Sequence, residues 1–560
     1  MKKSIVAVIL ALFLGACFAQ LEPWQSITEE FLTNPPASAW PSKRRTPNSW
    51  GYSPLDQINT ENVSDLELAW SIDTGVAGQV EWTPVVANGR MFLQAGATRI
   101  MAMDAATGDL LWTYEYEMLP AEERAELGVG GSSTSRGLTL FQDMVIGHFG
   151  DSHIVAVDAE TGQEVWKTFT DGGGYTSPGI IADGVLISGN SAKGYDRAFV
   201  TGTDPESGEV LWKTYMIPGP GEPGYETWEV EGTAEVGHAS AWMTPSYDPE
   251  LNLVYVGTGN PDPYTPQSRP GDNLYTGSIL ALDPQTGEIV WYHQVMPNDS
   301  WDLGSVMETI LVDLEIDGET VPALLHTNKG GFLNILNRET GEYIDHTFVV
   351  YQNVIESVDP ETGRPTYNEE VIPHPGERVI ACPSTRGGTD WPARAYSPET
   401  NLYYLSGNHV CMDVEGFAWS DGMPMRNIDD IRVVAEGYED RIGELFAFHA
   451  DTLEPAWSVE FELPTTAIPL PTAGGLVFAG HTDRFFRAYD AETGEELWGA
   501  RLTGPIEGHP ISYAVDGTQY VAVPAGCCSL VGSAMLRDFA PEALGPAGTG
   551  SIFVFKLDND

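Results

Sequence analysis

Asp158-Ala-Glu-Thr-Gly-Gln-Glu-Val-Trp166 follows the apolar run Ile154-Val155-Ala156-Val157 and ends in a second short run that closes on tryptophan. Two such runs joined by a turn read as a β-hairpin, with the Thr-Gly pair supplying the positive φ that the turn needs. The pattern recurs as Asp104-Ala-Ala-Thr-Gly-Asp-Leu-Leu-Trp112, Asp204-Pro-Glu-Ser-Gly-Glu-Val-Leu-Trp212, Asp283-Pro-Gln-Thr-Gly-Glu-Ile-Val-Trp291 and Asp490-Ala-Glu-Thr-Gly-Glu-Glu-Leu-Trp498. Asn337-Arg-Glu-Thr-Gly-Glu342 and His449-Ala-Asp-Thr-Leu-Glu-Pro-Ala-Trp457 are degenerate copies. Most copies lie roughly 40 to 55 residues apart, which suits one four-stranded blade each. The wider gaps, before Trp291 and between Asn337 and His449, leave room for inserted loops, where function usually resides. The tryptophans are read as docking residues between blades rather than as chemistry.

The two ends complete the pattern. Leu66-Glu-Leu-Ala-Trp70 is an outer strand without its own hairpin, and Ser551-Ile-Phe-Val-Phe-Lys556 lacks a tryptophan partner. Pairing them closes the ring and removes the sheet edges. Seven copies plus this composite blade predict an all-β, eight-bladed propeller over 61–560, preceded by an extension at 20–60 and a signal peptide at 1–19.

Composition agrees with that architecture. Sixty glycines and 39 prolines indicate many turns, and 42% hydrophobic residues are enough for a packed core, which excludes general disorder. Eighty acidic against 28 basic residues give a net charge of −52, which repels nucleic acid and anionic membranes. The same charge suits a saline setting and a basic electron-accepting partner.

Lys2 and Lys3, the apolar run Ile5 to Leu14 and the small residues that follow form an export signal too short to span a bilayer. Leu14-Gly15-Ala16-Cys17 has the form of a lipoprotein box, while Cys17-Phe18-Ala19 suits ordinary cleavage, so a lipid anchor and a free N-terminus both stand. Either places the mature chain in the periplasm or outside the cell. Beyond the signal there are four cysteines, Cys382, Cys411, Cys527 and Cys528, an even number in an oxidising compartment. No Cys-x-x-Cys-His occurs, so electrons must leave to a separate carrier, a soluble cytochrome c or another acceptor.

Six stretches, in this order, carry a family likeness: Gly189-Asn-Ser191, Trp242 before Tyr247-Asp-Pro249, Gly257-Thr-Gly-Asn-Pro261, Asp299-Ser-Trp-Asp302, Asn328-Lys-Gly-Gly-Phe332 and Gly388-Thr-Asp-Trp-Pro392. From about Asn62 to the C-terminus the chain resembles the pyrroloquinoline quinone (PQQ) dependent alcohol dehydrogenases, nearest in pattern to the calcium-type methanol and ethanol dehydrogenases. The resemblance makes Asp302 the catalytic base that takes the alcohol proton while hydride passes to the quinone. It makes Asn260 and Asp302 calcium ligands, Trp242 the platform for the flat cofactor, and Lys329 a cation at the quinone oxygens. Glu81 and Arg136 match polar contacts to the cofactor, and Ser191 and Asp390 match further ones. Cys382 and Cys411 flank Trp391-Pro392 as a family disulfide does. Lanthanide-using members carry a second Asp two positions after the base; Gly304 stands there, which favours calcium.

Two departures matter. The family's calcium-binding Glu after Gly-Asn-Ser is missing from Ala192-Lys193-Gly194-Tyr195-Asp196-Arg197. Lys193 falls nearest to it and could assume part of the ion's electrostatic role, or Asp196 could serve as an oxygen ligand. The vicinal cysteines that cover the cofactor in many members are replaced by Gly130-Gly-Ser-Ser133, whereas Cys527-Cys528 lies in the last blade, as a vicinal disulfide or as two thiols. The missing Glu and the lipoprotein box leave an alternative, a cofactor-less propeller acting as an envelope assembly scaffold. A related quinoprotein acting on sugars, polymers or cyclic alcohols is a third reading, its pocket shaped by loops 218–236 and 354–380.

Overall fold

The computed structural model describes residues 21–191, 197–230, 234, 237–418, 427–526, 531–544 and 548–558. The signal at 1–19 with Cys17, the pair Lys193 and Asp196, and Cys527 with Cys528 lie outside these residues.

Among the described residues there are eight four-stranded antiparallel sheets, in keeping with the hairpin repeat. Seven take their strands in chain order, beginning at Val85, Thr139, Ile180, Ser246, Thr309, Ala395 and Leu470. The eighth joins Ile511–Val515, Thr518–Ala525 and Thr549–Leu557 to Leu66–Ala77 from the other end of the chain. Leu66 pairs with Leu557, Trp70 with Val554 and Asp73 with Ser551, the closure that the two orphan strands require. Within each sheet burial falls outward. Met144–His148 is wholly buried, whereas the fourth strand, Glu164–Phe169, is half exposed. First strands of successive sheets touch, as Thr139–Phe141 does Ile180–Ala182 and Leu470–Thr472 does Ile511–Val515. The sheets therefore stand side by side about an axis lined by first strands: a β-propeller.

The repeat glycine has two duties. Gly162 turns the chain at φ +70, and a Cβ there would lie 2.6 Å from the Trp112 ring of the preceding sheet. Trp112 Nε1 also donates to Ala159 O at 3.0 Å, so indole and turn form one joint. The rings of Trp70, Trp166, Trp212, Trp291 and Trp457 likewise press on Gly108, Gly208, Gly287, Gly341 and Gly494, and Trp166, Trp212 and Trp457 add the indole hydrogen bond. The tryptophans thus dock neighbouring sheets. One turn of this kind escapes the repeat count: Asp359-Pro-Glu-Thr-Gly363, in the inserted hairpin Ile355–Val358 with Pro365–Tyr367, takes the ring of Tyr343 against Gly363. The signature marks a docking hairpin, not a blade.

First strands run from one mouth of the ring to the other. At the mouth where they end, residues 27–53 hydrogen-bond to all eight sheets. Ile27 pairs with Gln142, Trp40 with Val86 and Ser53 with Thr472. Glu29 accepts from Asp183 N and Gly184 N, Ser38 O from Ala514 N, Pro47 O from Tyr247 N, Asn48 O from Leu311 N and Trp50 O from Tyr396 N. No helix of the described residues is long and apolar enough to cross a membrane.

Candidate active site

The opposite mouth carries the predicted site. Glu81, Arg136, Trp242, Asp302 and Asp390 all lie in loops leading into first strands, and Ser191, Asn260 and Lys329 just after second strands. Topology alone brings these ends together. Backbone hydrogen bonds then link them: Ala241 N to Asn190 O at 2.9 Å, Gly259 N to Ser240 O at 2.8 Å, Ser305 N to Thr258 O at 2.9 Å, Lys329 N to Gly304 O at 3.2 Å and Thr389 N to Lys329 O at 3.1 Å. Ser191 joins through its own N–H, 2.8 Å from Gly174 O.

Two charged groups occupy this mouth. In the first, Lys329 Nζ donates to Asp302 Oδ2 at 2.9 Å and lies 3.8 Å from Asp390 Oδ2. The Asp302 side chain is 20% exposed, enough to meet a ligand, while those of Lys329 and Asp390 are buried. In the second, Arg136 Nη2 lies 2.6 Å from Glu81 Oε2, and burial pushes the Glu81 carboxyl up despite that guanidinium. The guanidinium lies over Trp242, 4.7 Å from the ring centroid, and over Trp391 at 5.3 Å. One face of the Trp242 indole is therefore taken by Arg136. Asn260 is buried, its Nδ2 donating to Pro261 O at 3.1 Å.

The geometry at Asp302 has supports that the sequence reading does not assign. Asp302 has φ +61, unusual for a residue with a side chain. The fully buried Asp299 brackets it, Oδ1 accepting from Trp301 N at 2.9 Å and Oδ2 from Leu303 N at 2.7 Å. Burial pushes Asp299 up to about 6, with the charge of Asp302 adding to the effect. Trp301 is buried, donates to Val371 O at 2.8 Å and meets Tyr367 edge-on at 5.1 Å. The insertion after Asn337 thus buttresses the residue beside Asp302. Cys382 and Cys411 are bonded, with an S–S distance of 2.06 Å.

Comparison with known proteins matches residues 40–366 and 430–521 to the family model described as "PQQ: Glucose/ethanol/alcohol dehydrogenase, beta-propeller domain". The chain belongs to this family. It is 35% identical to the dehydrogenase subunit of alcohol dehydrogenase (quinone) from Komagataeibacter europaeus, covering 87% of this chain and 71% of that one. Quinoprotein ethanol dehydrogenase from Pseudomonas aeruginosa is 33% identical, with 90% and 88% covered. Among solved structures, a europium-containing methanol dehydrogenase superposes with a TM-score of 0.86 at 29% identity, over 93% of this chain and 99% of that one. The protein is a PQQ-dependent alcohol dehydrogenase, which sets the scaffold alternative aside.

The residues at this mouth fit the family's cofactor. PQQ is a flat tricarboxylate, and this mouth offers two buried cations, Lys329 and Arg136, the latter over an indole. Arg136 Nε, Trp391 Nε1 and Glu81 Oε1 are buried without a protein hydrogen bond, as groups built to meet a polar ligand are. A calcium cage fits less well. Calcium takes roughly six to eight oxygens, and the expected ligands among the described residues are Asn260 and Asp302, the latter already bound to Lys329. No group of three His, Cys, Asp or Glu residues suited to a metal occurs among the described residues. A Cβ at Gly304 would lie 2.6 Å from Asn260 N, so a second carboxylate there would displace backbone.

Proposed function

We propose that this chain is an exported dehydrogenase that oxidises an alcohol to an aldehyde or ketone with Asp302 as general base. The observation that carries this reading is the placement of Asp302: partly exposed, held by Lys329, at the mouth that also bears Arg136, Glu81 and Trp242. Lys329 engages Oδ2, so Oδ1 is the oxygen offered to the substrate hydroxyl proton. Asp299, through the two N–H groups flanking Asp302, keeps that carboxylate aimed. Arg136 with Glu81 retains the anionic cofactor, and Lys329 supplies positive charge where negative charge develops. The quinone, when bound, supplies the hydride acceptor.

The eight four-stranded sheets and the pairing of the terminal strands support a ring of eight blades. Export rests on the leader at 1–19, with the lipid anchor and ordinary cleavage both open, and the Cys382–Cys411 bond suits an oxidising compartment such as the periplasm. Electrons pass to a separate acceptor, and a net charge of −52 favours a basic one such as a soluble cytochrome c.

Incubation of the purified protein with PQQ, followed by cofactor absorbance and alcohol-driven dye reduction, tests the reading. Uptake near one per chain with alcohol-dependent reduction is expected; absence of uptake, with or without calcium, overturns it. Because the expected calcium ligands are incomplete among the described residues, uptake is expected to be the same in EDTA. A strict calcium requirement would show that donors outside the described residues complete a cage.

A further inference from the structure

The N-terminal segment that laces the far mouth does more than join sheets. Trp40 pairs with the first sheet and Pro47 with the fourth, so the residues between them cross the mouth as a chord. Lys43 and Arg44 lie on that chord and are buried. Lys43 Nζ lies 2.6 Å from Glu308 Oε1, with side chains 1% and 2% exposed, and Arg44 Nε is 3.7 Å from Glu308 Oε2. Arg44 also donates to the carbonyl of Arg394, which in turn donates to Asp390 O at 2.7 Å. The chord is thereby connected to the loop that carries Asp390.

These groups belong to one electrostatic neighbourhood with the site. The charge of Lys43 acts on Glu81, and that of Arg136 acts on Lys43. His509 is buried among Lys43, Arg44 and Arg136, with neither ring nitrogen partnered by protein, and burial holds it well below its ordinary range. The cations Lys43, Arg44, Arg136 and Arg394 outnumber the carboxylates Glu81, Glu308 and Asp390, all seven buried. A buried surplus of positive charge is costly unless an anion joins it. In a chain of net charge −52, this cluster points to an anionic ligand there.

We propose that Lys43, delivered from the N-terminal chord and held by Glu308, is a positioning residue of the cofactor site that supplies positive charge from beneath Arg136. This rests on the PQQ reading above. The groups facing Lys43 are Glu308, Arg44, Arg136 and His509, with Glu81 also within reach of its charge. Burial brings Lys43 down to about 8, so its charge is present below that pH and lost as pH rises through it. Cofactor binding should weaken in the same window.

The test is titration of the full chain with PQQ, read by tryptophan fluorescence at constant ionic strength from pH 6.5 to 9.5. The wild-type Kd is expected to rise by about tenfold across this range, the order expected of one unit charge acting through a buried interior. Lys43→Arg stays charged, so its Kd should stay flat at the wild-type low-pH value. Lys43→Met should be flat and weaker throughout, by about tenfold. Lys43→Met strands Glu308, so Lys43→Met with Glu308→Gln serves as the second variant, checked by circular dichroism, and should be equally flat. A wild-type pH profile in Lys43→Arg or in the double variant, or wild-type affinity in folded Lys43→Met, overturns the proposal. Failure of the wild-type protein itself to bind PQQ is a different result, which removes the cofactor reading and this inference together.

Discussion

At the rim of the ring one joint is made over and over: Trp112 on Gly162, Trp166 on Gly208, Trp212 on Gly287, Trp291 on Gly341, Trp457 on Gly494. Along the axis nothing repeats. Glu81 meets Arg136, Asp302 meets Lys329 and Lys43 meets Glu308, each pair once. A rim joint is apolar packing, with an indole hydrogen bond added at Trp112, Trp166, Trp212 and Trp457, so its loss weakens one seam among several. An axial pair that loses a partner leaves a buried charge with no substitute, which costs about 3–5 kcal/mol. Redundant packing thus carries the scaffold and singular charge carries the chemistry, and the contrast can be broken from either side.

The largest effect is expected at the axis. Asp302→Asn removes the proton acceptor but keeps the shape and an oxygen for Lys329. Turnover should fall by about 10²–10⁴, the usual weight of a positioned general base. PQQ uptake should stay near wild type, and stability should fall by less than about 3–5 kcal/mol, because the amide oxygen and Asp390, 3.8 Å away, still face Lys329. An equal loss of uptake would make Asp302 a binding group and blur the distinction between holding the cofactor and reacting with it.

Asp299 provides the next test, through pH. Its carboxyl is pushed up to about 6 by burial, from an ordinary 3.8. The folded state therefore keeps this proton to higher pH than the unfolded chain does. The resulting stability is fully present below pH 4, is lost as pH rises towards 6 and is absent above it. A shift of this size corresponds to roughly 3 kcal/mol. Asp299→Asn cannot ionise, so the difference in unfolding free energy between wild type and variant should change between pH 4 and 6 and level off above. A constant difference would mean that Asp299 titrates normally and that the turn bearing Asp302 is held by its geometry alone.

At the rim, Gly162→Ala places a methyl 2.6 Å from the Trp112 ring at φ +70. A loss of about 2–3 kcal/mol is expected from strain and overpacking together, with no change in PQQ affinity. Gly318→Ala separates the two causes. Gly318 has φ +83 with nothing within 4 Å of a Cβ, so it should show the backbone strain alone, about 1 kcal/mol. Equal losses at the two positions would deny the indole its part in the joint.

The two regions also differ in how far the sequence reveals them. The rim is legible because strand, turn and docking residue sit within nine neighbouring positions: Asp104 Oδ1 accepts from Ala106 N and Thr107 N, Gly108 turns the chain, and Trp112 reaches the next sheet. The terminal strands were readable for the same reason, each showing half of a hairpin. The axis is legible only where family likeness supplies it, as at Asp302, Lys329 and Arg136. Lys43, Arg44, Glu308 and His509 have no spacing that betrays them, because their burial is decided by a chord crossing between distant sheets. Asp299 stands in a recognisable motif, yet its type does not say which N–H groups it accepts.

The degenerate repeat offers a small change and the most discriminating one. Asp345 stands where the fifth sheet would carry its docking tryptophan, and in the next sheet Leu453 replaces the turn glycine at φ +55. The hairpin is otherwise unchanged, with Leu453 N donating to His449 O at 2.8 Å as Gly108 N does to Asp104 O at 2.9 Å. With no indole pressing on the turn a side chain is tolerated, and the leucine is buried in the cluster that holds Phe446 and Phe448. Leu453→Gly relieves about 1 kcal/mol of strain but forfeits about 2–3 kcal/mol of buried leucine. The net expectation is a loss of about 1–2 kcal/mol on denaturant unfolding. A gain in stability would mean that strain outweighs burial here, and that the turn glycines answer to backbone conformation more than to the rings that pack on them.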